Sequence, residues 1–223
     1  DGIRDVAVTG VQTCALPILK PRYWTRATTE LAARDPLLKK LIAQHRTLTV
    51  GSRGDAFQTL ARAIVGQQIS VKAAQSVWDR FAAAHSEVSP AVVVASSTDK
   101  LRGCGLSGQK CAYIHDLAAH FHDGRLRPAE WKRLPDDELV DLLVQVKGIG
   151  RWTAEMFLIF NLARPDVFPV GDLGLQNAIA RHYNRGRKPA PERMHKIGAE
   201  WAPWRSVATW YMWRSLEASP VEY

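Results

Sequence analysis

Lys147-Gly148-Ile149-Gly150 stands between two apolar helical patterns and leads directly into Arg151 and Trp152. Two glycines allow positive φ and close approach of another backbone, and Ile149 can plug the space between the helices they join. Such a turn leaves the first amide N–H groups of the second helix pointing outward. Together with the positive end of the helix dipole they form an anion site of phosphate size. Lys147 and Arg151 flank it with charge. The same glycines also suit an ordinary turn between two helices. The basic flanks favour a grip on a nucleic-acid backbone.

Other residues could serve the same partner. Eight tryptophans in 223 residues supply flat stacking faces, although core packing alone accounts for most of them. Gln67 and Gln68 form a polar pair at the end of an apolar helix. The chain carries 30 Lys+Arg against 22 Asp+Glu, a net charge of +8, which favours a polyanion.

The elements that must hold these residues read as helices nearly throughout. Phe57, Leu60, Ala61, Ile64 and Val65 fall at helical spacing, and an alanine-rich helix follows over 73–84. The valine-rich stretch at 92–94 could pass for a strand, but its Ser-Pro start and polar end suit a short helix. Glycine turns at 103–108 and 123–124 bracket a helix over about 109–122. Leu139, Leu142, Leu143 and Val146 stripe the helix over 138–146 before the hairpin. The helix over 151–161 places Trp152, Met156, Ile159 and Phe160 on one face. A loop with Pro165 and Pro169 leads to Gly171-Asp172 and a helix over 173–183. A basic connector over 185–192 precedes the last helices, which concentrate Trp201, Trp204, Trp210 and Trp213.

The expected fold is all-α, and the family resemblance given below implies two lobes. One lobe comprises 19–55 with 185–223; the other comprises 56–184 and contains the helix–hairpin–helix at 138–162. The first stretch, about residues 1–18, resembles translated sequencing-adapter DNA joined to a truncated gene. It is expected to be an artefact outside the fold, Cys14 included. Cys104 and Cys111 are the other cysteines, and this odd set without metal-ligand spacing suits a reducing cytosol. No apolar run reaches about 18 residues, so no membrane span is expected.

The stretch LVQVKGIGRWTAEMFLIFNLARPDVFPVGDLGLQ resembles the helix–hairpin–helix DNA glycosylase superfamily. IVGQQISVKAA at 64–74, GLSGQKCAYIHDLA at 105–118 and PWRSVATWYMW at 203–213 resemble its alkylated-base branch, DNA-3-methyladenine glycosylase II. The similarity runs over about 56–216.

The resemblance implies that Asp172 is the catalytic carboxylate. Cleaving an N-glycosidic bond builds positive charge on the sugar, which a fixed carboxylate stabilises, and it can also orient or deprotonate the attacking water. Asp172 is equally suited to cap the helix that begins at Leu173. In relatives that also nick the strand, a lysine stands two residues after the second hairpin glycine. Here that position is Trp152, and an indole forms no Schiff base. A monofunctional enzyme follows, with Trp152 either walling the base pocket or supporting the hairpin.

Trp213 aligns with a pocket tryptophan, with Trp210 and Tyr211 beside it. A cationic alkylated purine gains a cation–π term on an indole. Gln68 stands where the family inserts a side chain into the space left by the flipped base, with Gln67 or Ile69 as alternatives. Lys147, Gly148, Gly150 and Arg151 then bind the DNA backbone.

By resemblance too, the carbonyls of Val144, Val146 and Ile149 would hold a monovalent cation, Na or K. No iron–sulfur cluster and no required cofactor are expected, since no cysteine lies beyond Cys111. The expected protein is a compact, monomeric, cytoplasmic, nucleoid-associated bacterial enzyme that holds damaged double-stranded DNA across the cleft between its lobes. The rivals are a glycosylase for oxidised, deaminated or mismatched bases and a helix–hairpin–helix DNA-binding protein without chemistry.

Overall fold

The computed structural model describes residues 20–45 and 54–216. Residues 1–18, read above as adapter-derived, lie outside them. The described residues form thirteen helices and no strand, as the all-α reading expects. Two compact units divide the chain.

The first unit holds the described residues 54–157. Its helices include α3 (Ala56–Gly66), α4 (Val71–Ala83), α7 (Gly108–His122), α9 (Asp136–Leu143) and the start of α10 (Arg151–Phe160). Side-chain oxygens set the starts of several. Asp55 accepts from the Gln58 N–H, Ser70 from Ala73 and Ser107 from Lys110, each satisfying an otherwise orphaned donor. The apolar face of α3 (Phe57, Leu60, Ala61, Ile64 and Val65) is buried as its spacing predicts. Phe57, Phe121, Trp131 and Phe157 run through this unit as successive edge-to-face contacts. The valine-rich stretch is the short helix Pro90–Val94. Cys104 and Cys111 are buried, and burial pushes both thiols up, away from reactivity.

The second unit holds 20–45 and 158–216. Here α1 (Trp24–Arg34), α2 (Pro36–Gln44), α11 (Leu173–Tyr183), α12 (Pro191–Trp201) and α13 (Arg205–Arg214) surround one core. Leu175, Ala178 and Ile179 of α11 share that core with Trp24, Leu31 and Leu38. Residues 158–184 therefore belong with the terminal segments, and the division falls inside α10 rather than after 184. The apolar side of α11 decides it: its burial partners come from the two ends of the chain.

The face assigned to α10 also needs correction. Ala154, Phe157, Leu158 and Ile159 are its buried apolar residues, whereas Trp152 is 43% exposed.

Candidate active site and nucleic-acid interface

The hairpin forms as the glycine spacing requires. The chain leaves α9, turns with Ile149 N–H donating to the Val146 carbonyl at 3.0 Å, and enters α10 at Arg151. Gly148 has φ +84°, a conformation that L side chains rarely adopt, and a Cβ there would run into the Tyr113 ring of α7. Ile149 is buried, the plug that the sequence anticipates. α7 also holds the turn from below, since the Asp116 carboxylate accepts from the Lys147 backbone N–H at 2.8 Å.

The two flanking cations differ. The Lys147 side chain is 72% exposed and its ammonium stands 4.0 Å from Asp116. The Arg151 guanidinium bonds Glu155 and Asp137, each at 3.1 Å, so carboxylates of its own unit already compensate its charge. Gln67 likewise has a partner within the protein: its side-chain amide donates to the Gly148 carbonyl at 2.7 Å. Gln68, by contrast, is exposed and has φ +59°, and Ile69 is 40% exposed beside it. Of the three residues weighed for insertion, Gln67 is thus a strut between two segments of the unit, while Gln68 and Ile69 face outward.

The carboxylate region belongs to the second unit. Asp172 is only 4% exposed and is the N-cap of α11. Its Oδ1 accepts from the Leu175 backbone N–H at 2.6 Å and from the Trp213 indole N–H at 2.7 Å. Trp213 lies on Phe160, with ring centroids 5.6 Å apart and planes 20° from parallel. Gly174 permits this approach, because a Cβ there would stand 3.0 Å from the Trp213 ring and 3.1 Å from Asp172 Oδ1. Capping and a second fixed contact therefore coexist on one oxygen.

Trp210 and Tyr211 do not share this setting. They are 4% and 1% exposed and pack on Trp24 within the core, with Trp210 edge-on at 5.6 Å. At about 100° per residue Tyr211 stands about 200° round the helix from Trp213, whereas Trp210 is only about 60° away and is separated by its packing on Trp24. Their assignment to the base pocket is corrected to a packing role. The signals that sequence reasoning missed are Tyr113 and Asp116 of α7, which seat the hairpin, and Lys110, whose ammonium reaches two backbone carbonyls.

Residues 61–203 match the model of the HhH-GPD superfamily of base excision DNA repair proteins. The chain belongs to this superfamily. It is 31% identical to DNA-3-methyladenine glycosylase 1 of Schizosaccharomyces pombe, over 86% of this chain and 87% of that protein. A Bacillus subtilis DNA-3-methyladenine glycosylase is 30% identical over 84% of this chain and 66% of its own length. The chain spans 59% of another Bacillus subtilis relative, with 32% identity.

Among solved structures, a DNA-3-methyladenine glycosidase from Bacillus halodurans superposes with a TM-score of 0.73 at 32% identity, covering 81% of this chain and 89% of that one. The Schizosaccharomyces pombe 3-methyladenine DNA glycosylase bound to abasic DNA gives 0.69 at 30% identity, covering 85% and 96%.

Proposed function

We propose that this chain is a monofunctional DNA glycosylase that flips an alkylated purine out of duplex DNA and hydrolyses its N-glycosidic bond in base excision repair. The observation that carries the reading is Asp172, a buried carboxylate whose Oδ1 is held by the Leu175 amide and the Trp213 indole. Relatives named as DNA-3-methyladenine glycosylases support the substrate class.

In the proposed reaction the C1′–N bond breaks and its electron pair leaves with the base. An alkylated purine carries a positive charge and departs neutral, which makes it a good leaving group. The sugar becomes cationic, the fixed Asp172 carboxylate stabilises it, and water adds to C1′ and loses a proton. The products are free base and an abasic site. Trp152 bears on the fate of that site: the position holds an indole, which has no amine to capture the sugar carbon, and the strand stays intact. Beside Asp172, the Trp213 ring offers a π face to a cationic base.

On the DNA side, the amides at the start of α10 and the Lys147 ammonium receive phosphate, and Gln68 enters the gap left by the base. The carbonyls of Val144, Val146 and Ile149 would hold a monovalent cation at the hairpin. Val146 fits the role, since each carbonyl oxygen has two lone pairs and one remains beyond the bond from Ile149. Such an ion supplies positive charge toward phosphate. The enzyme acts as a monomer in the cytoplasm and needs no redox cofactor.

Duplex DNA carrying one 7-methylguanine is the test. Free base with intact strands is the expected product, and strand nicking without added base or heat sinks the monofunctional claim. Asp172→Asn is expected to hold DNA while losing most base release, by about a hundredfold or more. Near-full activity in that variant removes the carboxylate from the mechanism. Lesion binding without excision by the natural chain would favour the non-catalytic alternative.

A further inference from the structure

The segment that carries Gln68 is held in an unusual way. Gln68 adopts φ +59°, a left-handed conformation that a residue with a Cβ avoids unless its surroundings impose it. Beside the segment a solvent-open pocket of about 330 Å³ is lined among others by Val65, Gln68, Ile69, Val77 and Leu106. Two groups hold the segment in place. The Lys110 ammonium, on the first turn of α7, donates to the carbonyls of Val65 at 2.7 Å and Gln67 at 2.8 Å. These oxygens stand at the C-terminal end of α3, where intrahelical partners run out and the dipole is negative, so a cation is favoured there. One residue on, the Gln67 side chain reaches across to the Gly148 carbonyl of the hairpin. The lysine is drawn partly out of water to do so, and that burial lowers its pKa.

We propose that Gln67 and Lys110 are positioning residues that lock the Gln68 segment to the hairpin, so that gripping the phosphate backbone and entering the duplex occur in one fixed register. The proposal rests on the reading that the chain flips a base and that Gln68 takes the vacated place. Neither residue need touch DNA. The Gly148 carbonyl is the link: the same turn that presents amides to phosphate accepts the bond that aims the insertion segment. Their contribution is to offset the unpairing of the lesion, and it should vanish when there is no pair to break.

The experiment compares base release from two duplexes, one with 7-methylguanine opposite cytosine and one with 7-methylguanine opposite an abasic-site analogue. Gln67→Glu removes the donor to Gly148 at constant shape, Gln67→Met removes it without adding charge, and Lys110→Met removes the ammonium at similar length. On the paired duplex each is expected to lose about tenfold, the scale of one hydrogen bond involving a charged or buried group. On the unpaired duplex each should stay within about threefold of the natural chain, which also reports that the catalytic unit is folded. Equal losses on both duplexes overturn the proposal, because the residues then serve the fold or the chemistry in general. Unchanged release from the paired duplex overturns it as well, as does a natural chain that acts on the paired lesion alone. A natural chain that releases base from neither duplex instead overturns the functional reading beneath it.

Discussion

Asp172 combines a helix cap with a proposed catalytic carboxylate, and its Oδ1 takes both the cap bond and the Trp213 indole. That convergence makes Asp172→Asn a clean probe. Asparagine keeps an acceptor for the Leu175 N–H and is as good an N-cap, so the fold should lose at most a few tenths of a kcal/mol while the charge disappears. Trp213→Phe is the complementary change. It keeps an aromatic ring to stack on Phe160 but withdraws the indole N–H from Asp172. Base release should fall about tenfold in kcat, with KM changed less, if the indole orients the carboxylate. Steady-state kinetics on the 7-methylguanine duplex checks this, and a loss confined to KM would assign Trp213 to base binding alone.

At this scale the sequence was informative about which residue types matter and poor about direction. Asp172 as a cap follows from its place before an apolar helical run. The separation of Trp213 from Trp210 and Tyr211 does not, since burial on a helix depends on which side meets the core. α13 is almost wholly buried over residues 206–212, so no apolar stripe marks one face.

The hairpin is the element on which the sequence spoke most clearly. Glycine spacing, the plug at Ile149 and the abrupt start of α10 were all readable from 147–152. Its seating was not, because Tyr113 and Asp116 lie more than thirty residues earlier and nothing local announces the contact. The positive φ of Gly148 and the Tyr113 ring against it make Gly148→Ala doubly unfavourable. A cost of about 2 kcal/mol or more in unfolding free energy is expected, measurable by urea denaturation. DNA affinity should fall with it, since the displaced turn no longer aims its amides.

The charges on the same element predict a contrast. Lys147→Ala should reduce the slope of log affinity against log salt by about one, the value for one lost phosphate contact. Arg151→Ala should change that slope less, because Asp137 and Glu155 already hold its guanidinium. Affinity measured for one duplex at several salt concentrations separates the two, and equal changes would mean that Arg151 leaves its carboxylates to meet DNA.

For the molecule as a whole, the helical class was legible from periodicity, and two lobes were implied only by the glycosylase resemblance. The place of their division was not. It falls within α10, a helix whose own pattern gives no break, and is set by burial that α11 finds among residues from both ends of the chain. No helix among the described residues is long and apolar enough to cross a membrane. The net charge of +8 suits a polyanionic partner, and duplex affinity should fall by about tenfold or more between roughly 50 and 200 mM salt.

The exposure of Trp152 has an optical consequence. Trp24, Trp78, Trp131, Trp201, Trp204 and Trp210 are all buried, whereas the Trp152 ring meets solvent. A small aqueous quencher such as iodide or acrylamide should therefore reach the emission of Trp152 before that of the buried indoles. The tryptophan beside the glycine turn thus becomes a built-in lamp on the hairpin. Its shielding from quencher as duplex is added would report DNA engagement without any label.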